Sequence, residues 1–337
     1  MTGALVGGRP DTLILSRGDV AALMATSDWV DAVEAGFRAG AEGRADSPPP
    51  MAIHGDGGTF HAKGASLRLD RLYVALKLNG NFPGNPEKRG LPTIQGAILL
   101  CDGGTGSLLA IIDSIEVTLR RTAAATALAA RFLARRDSAT ILVCGCGAQG
   151  AAQLDALRAV LPLSRAFAWD RDRARAAALA EAAAGDGLVA SAAGDLAAAA
   201  RASDVIVTCT TAPAPFLGRA AVRPGTFIAA VGADSPDKSE IEPALMAKAV
   251  VVADVLDQCR DMGDLRHAIA AGAMTCADVH AELGDLVAGR APGRTSEEQI
   301  TLFDSTGTAL QDVAAAAMIY QRALRGDHAT AVELGGR

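Results

Sequence analysis

The sequence predicts an α/β protein organised around a doubly wound parallel sheet. Three observations carry that expectation. Strand-like and helix-like segments alternate across residues 139–255, a glycine-rich turn opens one of the helices, and an acidic residue ends the strand that follows. Such alternation buries a parallel sheet under helices on both faces.

Taken in order, residues 11–43 read as a short strand and then a helix. In TLILSRGDVAALM, Ser16 precedes an apolar-periodic run and stands where an N-cap should. Trp29, Val30, Val33, Phe37 and Arg38 continue the helical period until Pro48-Pro49-Pro50 stops it. Residues 51–113 read as β-rich, because TFHAKGASL, LYVALKL, GAILLCD and LLAIID are short apolar runs split by Gly, Asn and Pro. The loop NGNFPGNPEKRGLP (79–92) is long and dense in turn formers, which marks it as functional. A helix at about 116–134 leads into the strand–helix alternation: ATILVC, RAFAWD, a short strand near 188–190, DVIVTCTT, GTFIAAVGAD and VVVADV. Residues 261–326 read as mainly helical with one apolar segment, QITLFDSTG. The polar, Gly-rich tail after about 326 is expected to fray.

Composition narrows the function classes. Of 337 residues, 50% are hydrophobic and 21% charged, and the net charge is −6, so a packed globular chain is expected rather than a disordered one. An acidic chain without a basic block has no electrostatic footprint for nucleic acid. Its alanine-rich stretches are broken by charge well before the roughly 20 apolar residues of a membrane span. The N-terminus lacks a basic region followed by an apolar core, so no signal peptide is expected. The six cysteines form no CxxC pair, and a reducing cytoplasm is the expected setting. His54, His61, His267, His280 and His328 lack metal-ligand spacing, and no metal is expected. Only His61, in TFHAKG, is kept as a substrate contact.

The glycine turn is the first motif that carries chemistry. Gly145-Cys146-Gly147-Ala148-Gln149-Gly150 matches GxGxxG. The pattern alone is a common turn, but here it follows the strand ILVC and opens the helix AAQLDALRAV. Glycines let the backbone approach a pyrophosphate, and the helix N-terminus offers free N–H groups to it. Asp170 stands twenty residues after Gly150, where an acid binds the adenosine ribose hydroxyls. That acid favours NAD, while the neighbouring Arg171 and Arg173 keep NADP open, since either can approach a 2′-phosphate. Cys144 and Cys146 read as small-residue packing.

Four further segments set charge against apolar runs: AKGAS with Lys63, ALKLNGN with Lys77, LRRTAAA with Arg120 and Arg121, and VGADSPDKSE with Asp234 and Lys238. Single charges so placed are usually solvated element ends. Asp234, however, follows a core strand at the carboxyl edge where open α/β sheets bind ligands. Arg121 opens a helical segment, Thr122-Ala123-Ala124-Ala125, small enough for close approach of a phosphate.

At these residues the chain resembles the ornithine cyclodeaminase/mu-crystallin family. The resemblance covers nearly the whole sequence and is most specific in KLNGNFPGNPEKRGLPT (77–93), RTAAATALAARFLAR (121–135), VGADSPDKSEI (231–241) and ITLFDSTGTALQDVAAA (300–316). The last, with ADVHAELGDLVAG (277–289), is most similar to the archaeal alanine dehydrogenase and ketimine reductase branch.

The resemblance implies a Rossmann NAD-binding domain, residues 120–309, inserted into a second α+β domain for substrate binding and dimerisation, residues 1–119 plus 310–337. It assigns Lys77 to the substrate carboxylate near the reacting carbon, Arg121 to a bridge between carboxylate and cofactor, and Asp234 to acid/base work on the amine. Gly147, Ala148, Asp170 and Val231 fall where the family contacts the dinucleotide. So do Thr93, Thr122, Thr208, Lys238 and Ser305.

Cyclodeaminases carry an arginine after the proline turn, where this chain has Met51. Where relatives often read Met-Pro-Ala, it has Lys63-Gly64-Ala65, which suggests that Lys63 reaches the same pocket and binds an anionic substrate group. The expected activity is therefore hydride transfer at the C–N carbon of a small 2-imino or 2-amino acid. The alternatives are ornithine cyclisation to proline with recycled NAD, and a mu-crystallin-like ligand-binding protein. The family member that only binds typically lacks the aspartate of the VGAD segment, which is present here. A small-molecule substrate and a homodimer are implied, with no nucleic acid or membrane partner.

The lysines sharpen this. There are five: Lys63, Lys77, Lys88, Lys238 and Lys248. The first four fall in or beside the expected anion-binding site.

Overall fold

The computed structural model describes residues 12–326 and 329–334. From the N-terminus the chain forms β1 (Thr12–Leu15), α1 (Arg17–Leu23), α2 (Thr26–Ala41), β2 (Ala45–Asp46), β3 (Met51–Gly55), β4 (Gly58–Arg68), β5 (Leu72–Asn81), α3 (Asn85–Arg89), β6 (Ile94–Asp102), β7 (Leu108–Asp113) and α4 (Ser114–Leu133). There follow β8 (Thr140–Cys144), α5 (Ala148–Arg158), β9 (Arg165–Trp169), α6 (Arg173–Ala183), β10 (Val189–Ala192), α7 (Leu196–Ala202), β11 (Val205–Thr208) and β12 (Phe227–Ala230). The remainder is α8 (Pro243–Met246), β13 (Val250–Ala253), α9 (Leu256–Met262), α10 (Asp264–Ala270), β14 (Ala281–Glu282), α11 (Leu283–Val287), β15 (Thr301–Asp304), α12 (Ala309–Ala323) and β16 (Thr330–Val332). Two compact units result, residues 1–118 with 309–337, and residues 119–308.

The first unit is a sheet in the order β16-β1-β7-β6-β5-β4-β2, with β3 paired to β4 and α12 packed on β4, β5 and β6. Strict alternation sorts its two faces. Along β5, Tyr73, Ala75 and Lys77 are buried on the α12 side, while Val74, Leu76 and Leu78 point outward and stay exposed. Leu99 pairs with Leu76 and adds to that outer apolar face.

Ser16 caps α1 as the sequence suggests, and Asp19 returns the bond to the Ser16 amide. The single helix expected over residues 11–43 is two, because the chain turns extended at Met24 and Asp28 caps a new start by accepting the Ala25 amide. The expected fraying after 326 is also corrected. Thr330–Val332 pair antiparallel with β1 and satisfy backbone groups that an edge strand otherwise leaves open. His328 and residues 335–337 lie outside the described residues.

The second unit is an eight-stranded sheet in the order β10-β9-β8-β11-β12-β15-β13-β14, and every pairing in it is parallel. Strand order reverses direction between β8 and β11, the switch point at which doubly wound sheets bind ligands. Leu142, Ile206, Ile228, Val251 and Leu302, one from each of five strands, are fully buried in its core.

The segment QITLFDSTG proves to be a strand. Its Thr301–Asp304 is buried throughout and slots between β12 and β13, so the sheet extends past the region where strands alternate with helices in sequence. Arg121 does not open a helix. It lies two turns into α4, away from the free N–H groups of that helix.

Candidate functional site

The glycine turn has the geometry a pyrophosphate needs, and each glycine has a separate reason to be one. Gly145 has φ +102° and passes so close to the next loop that a Cβ would stand 2.7 Å from the Cys209 carbonyl oxygen. At Gly150, in the first turn of α5, a Cβ would lie 2.1 Å from the Gly145 oxygen. Gly147, the N-cap of α5, faces open space, with nothing within 4 Å of a Cβ placed there. That vacant approach to a helix N-terminus, with Ala148 and Gln149 in its first turn, fits a dinucleotide phosphate.

Asp170, one residue past β9, accepts the Cys146 amide at 2.9 Å and the Asp172 amide at 2.9 Å. The carboxylate is thereby fixed beside the glycine turn, as its spacing suggests. Burial, with Asp170 adding to it, pushes the Cys146 thiol up to about 12, which keeps that thiol protonated and unreactive.

Asp234 lies in the loop after β12, on the same carboxyl edge of the sheet. Its side chain is 54% exposed, so solvent reaches the carboxylate, and Lys238 Nζ pairs with it at 2.5 Å. Lys238 thus meets Asp234, a partner its sequence assignment to the dinucleotide did not include. Val231 is buried where β12 ends, and its amide donates to Thr208. Thr208 and Ser305 differ from expectation. Thr208 is fully buried beside Glu240, and the Ser305 hydroxyl donates to Asp254 at 3.2 Å. Arg171 is exposed and Thr122 half-buried.

Arg121 is buried, and the loop after β15 presses on it. A Cβ at Gly307 would stand 2.5 Å from its guanidinium nitrogen, and Gly307 has φ +73°. Asp254, at the end of β13, shapes that loop by accepting the amides of Thr306 (2.9 Å) and Gly307 (2.7 Å).

In the first unit, Lys77 is buried in an ion pair with Asp312 of α12, Nζ to Oδ2 2.6 Å, and lies 3.4 Å from the Thr118 hydroxyl. Lys63 on β4 is the direct cross-strand partner of Lys77, so both lysines rise from one face of the sheet, with His61 and Asn79 paired beside them. Met51 pairs with Ala62 and therefore lies on the opposite face. Lys63 and Met51 do not share a pocket wall as expected, because a one-residue offset reverses the side-chain direction. Thr93 is half-buried and accepts the Phe82 amide through its carbonyl.

Sequence reasoning missed the buried acids of the second unit. Glu240, Asp254, Asp264 and Asp304 are essentially fully buried. Burial pushes Glu240 up to about 7, raises Asp264, and with neighbouring Asp264 raises Asp304 strongly. The available signal was an acid inside an apolar run, as in ITLFD and SEI. Among the described residues no group of side chains is arranged to hold a metal, and no helix is long and apolar enough to cross a membrane.

Parallel topology, switch point, glycine turn and ribose-side acid together define a Rossmann dinucleotide-binding unit. Residues 10–327 match the model of the ornithine cyclodeaminase/mu-crystallin family. The chain belongs to that family. It is 38% identical over 314 residues to alanine dehydrogenase of Archaeoglobus fulgidus, covering 93% of this chain and 96% of that one. Its fold is similar to an archaeal alanine dehydrogenase dimer with bound NAD, with a TM-score of 0.92, 37% identity, and coverage of 96% of this chain and 100% of the other. It is also similar to Δ1-pyrroline-2-carboxylate reductase of Thermococcus litoralis in complex with NADH and L-proline, with a TM-score of 0.91, 30% identity, and coverage of 95% and 100%.

Proposed function

We propose that this protein is an NAD-dependent oxidoreductase acting at the C–N carbon of a small 2-imino or 2-amino acid. The observation that carries the reading is the exposed Asp234–Lys238 pair on the same carboxyl sheet edge as the glycine turn and Asp170. Two solved relatives hold NAD or NADH, and one of them also holds L-proline, an amino acid with its nitrogen on the reacting type of carbon.

Bound NAD supplies the hydride chemistry. Gly145, Gly147, Ala148, Gln149 and Gly150 hold its pyrophosphate, and Asp170 holds its ribose. Lys77 binds the substrate carboxylate, and Arg121 bridges that carboxylate and the cofactor. Lys63, beside Lys77 on the same sheet face, takes an anionic group of the substrate. Fixing the carboxylate places the reacting carbon and removes much of the entropic part of the barrier. Asp234 passes a proton to the imine nitrogen in reduction and accepts one from the amine in oxidation.

The exposed outer sheet face of Val74, Leu76, Leu78 and Leu99 is a contiguous apolar patch of the kind covered by a partner. A second copy of the chain covers it, as the dimeric relative suggests. The six free cysteines suit a reducing cytoplasm.

The test is NADH oxidation with a panel of 2-oxo acids plus ammonia or methylamine, and with cyclic imines. Turnover on part of that panel supports the reading. Ammonia release from ornithine without net NADH change would replace it with cyclodeaminase chemistry, and tight NADH binding with no turnover would replace it with a binding role.

A further inference from the structure

The loop that bears Asp234 is gripped from behind by buried acid. Glu240 accepts the Thr210 amide at 2.6 Å and the Thr210 hydroxyl at 2.6 Å on Oε1, and the Gly232 amide at 2.9 Å on Oε2. It thereby ties the loop after β11 to the first turn of the loop after β12. Gly232 has no room for a side chain, since its Cβ would stand 2.5 Å from the Glu240 carboxyl carbon.

Helix α10 holds the other end of the same loop. Asp264 Oδ1 accepts the Ser239 hydroxyl (3.2 Å), the Glu240 amide (2.8 Å) and the Ile241 amide (3.1 Å). One turn on, His267 Nε2 donates to the Lys238 carbonyl at 2.9 Å. Asp234 sits between these anchors, exposed and paired with Lys238.

We infer that Glu240 is a positioning residue for Asp234, its carboxylate clamping the stem of the loop so that the Asp234–Lys238 pair keeps one geometry. This rests on the reading of Asp234 as the proton relay. The clamp needs a carboxylate, because each oxygen accepts a backbone N–H. An amide or a protonated acid offers a donor at one of those places and leaves a buried N–H unpaired. The groups facing Glu240 are Asp264 from α10, the thiols of Cys144 and Cys209, and the hydroxyls of Thr208 and Thr210. Burial and Asp264 hold the carboxyl at about 7, so the clamp is set above that pH and loosens below it.

The test is Glu240→Gln in the full-length protein. A displacement of about 1 Å costs up to roughly 100-fold in rate, so kcat should fall about 10- to 100-fold. The Kd for NADH should stay within about twofold, since Asp170 keeps its own bonds to the Cys146 and Asp172 amides and Gly147 still opens α5. Amide hydrogen exchange should quicken over 231–241 and stay unchanged over 140–158. An unchanged kcat, unchanged exchange over 231–241, or a loss of NADH affinity in step with kcat would each overturn the inference. If Glu240→Gln does not fold, Thr210→Val removes the hydroxyl that donates to Glu240 and accepts the Ala212 amide, and leaves both backbone bonds to Glu240. It should lower kcat about three- to tenfold at constant Kd, and an unchanged kcat overturns the inference. Asp234→Asn separates the two readings. Full activity in that variant refutes the relay itself, whereas the exchange data on Glu240→Gln report on the clamp independently.

Discussion

Replacing Lys77 with methionine should destabilise the protein as well as inactivate it. The Lys77 and Asp312 side chains are 5% and 2% exposed and meet at 2.6 Å, so removing the ammonium takes a cationic partner from a carboxylate in the core. Breaking a buried pair from one side costs about 3–5 kcal/mol. For domains of roughly 150–250 residues, 1 kcal/mol moves Tm by about 2–4 °C, so a fall of about 6–20 °C is expected. Adding Asp312→Asn to Lys77→Met should recover most of that loss, because both charges of the pair are then gone, while activity stays absent. Differential scanning calorimetry of the two single variants and the double variant forms a cycle that isolates the pair. A Lys77→Met Tm within about 2 °C of the parent, or a double variant less stable than either single one, would refute the reasoning.

Four further outcomes follow. Gly147→Val should leave Tm nearly unchanged, since a Cβ there meets nothing, yet weaken NADH binding by at least about tenfold in a fluorescence titration. Gly150→Ala, whose Cβ would stand 2.1 Å from the Gly145 oxygen, should lower Tm as well as affinity. Asp234→Asn should cut kcat by about 100-fold or more with the NADH Kd preserved, measured by steady-state kinetics beside the same titration. Glu240 also makes stability depend on pH. Burial raises its folded value from 4.5 to about 7, so the folded protein keeps a proton that the unfolded chain releases in that window. Its contribution to stability is therefore present below 4.5 and lost as pH rises through about 7. Melting curves should show Glu240→Gln gaining on the parent in Tm between pH 5 and pH 8, and a constant difference would contradict the burial argument.

What could be read from the sequence was local. The series β8, glycine turn, α5, β9 and Asp170 spans one short stretch, and each step has its own residue signal. The Ser16 cap is equally local. The rest depends on which distant segments meet. Cross-strand register places Lys63 opposite Lys77 and turns Met51 away, and no single-strand pattern encodes that register. Asp312 sits in an alanine-rich helix, and its ion pair with Lys77 joins opposite ends of the chain. The strand Thr301–Asp304 enters the sheet after a long helical stretch, so alternation along the chain does not reveal it. Glu240 and Asp264 carry the same letters as solvated acids, and only folding shows that the donors around them come from backbone amides. The sequence offers Ser305 and Thr208 as cofactor contacts, but the Ser305 hydroxyl donates to Asp254 and Thr208 is buried beside Glu240, which only the fold shows.

The most direct test of hydride transfer at a C–N carbon uses NADH deuterated at C4 of the nicotinamide, with the transferable position labelled. It is incubated with the 2-oxo acid panel and ammonia or methylamine, and with cyclic imines, and the products are analysed by mass spectrometry and NMR. One deuterium on the carbon that bears nitrogen, with NAD+ formed in equal amount, is the expected result. NADH left unconsumed across the panel, or consumed without label at that carbon, would contradict it.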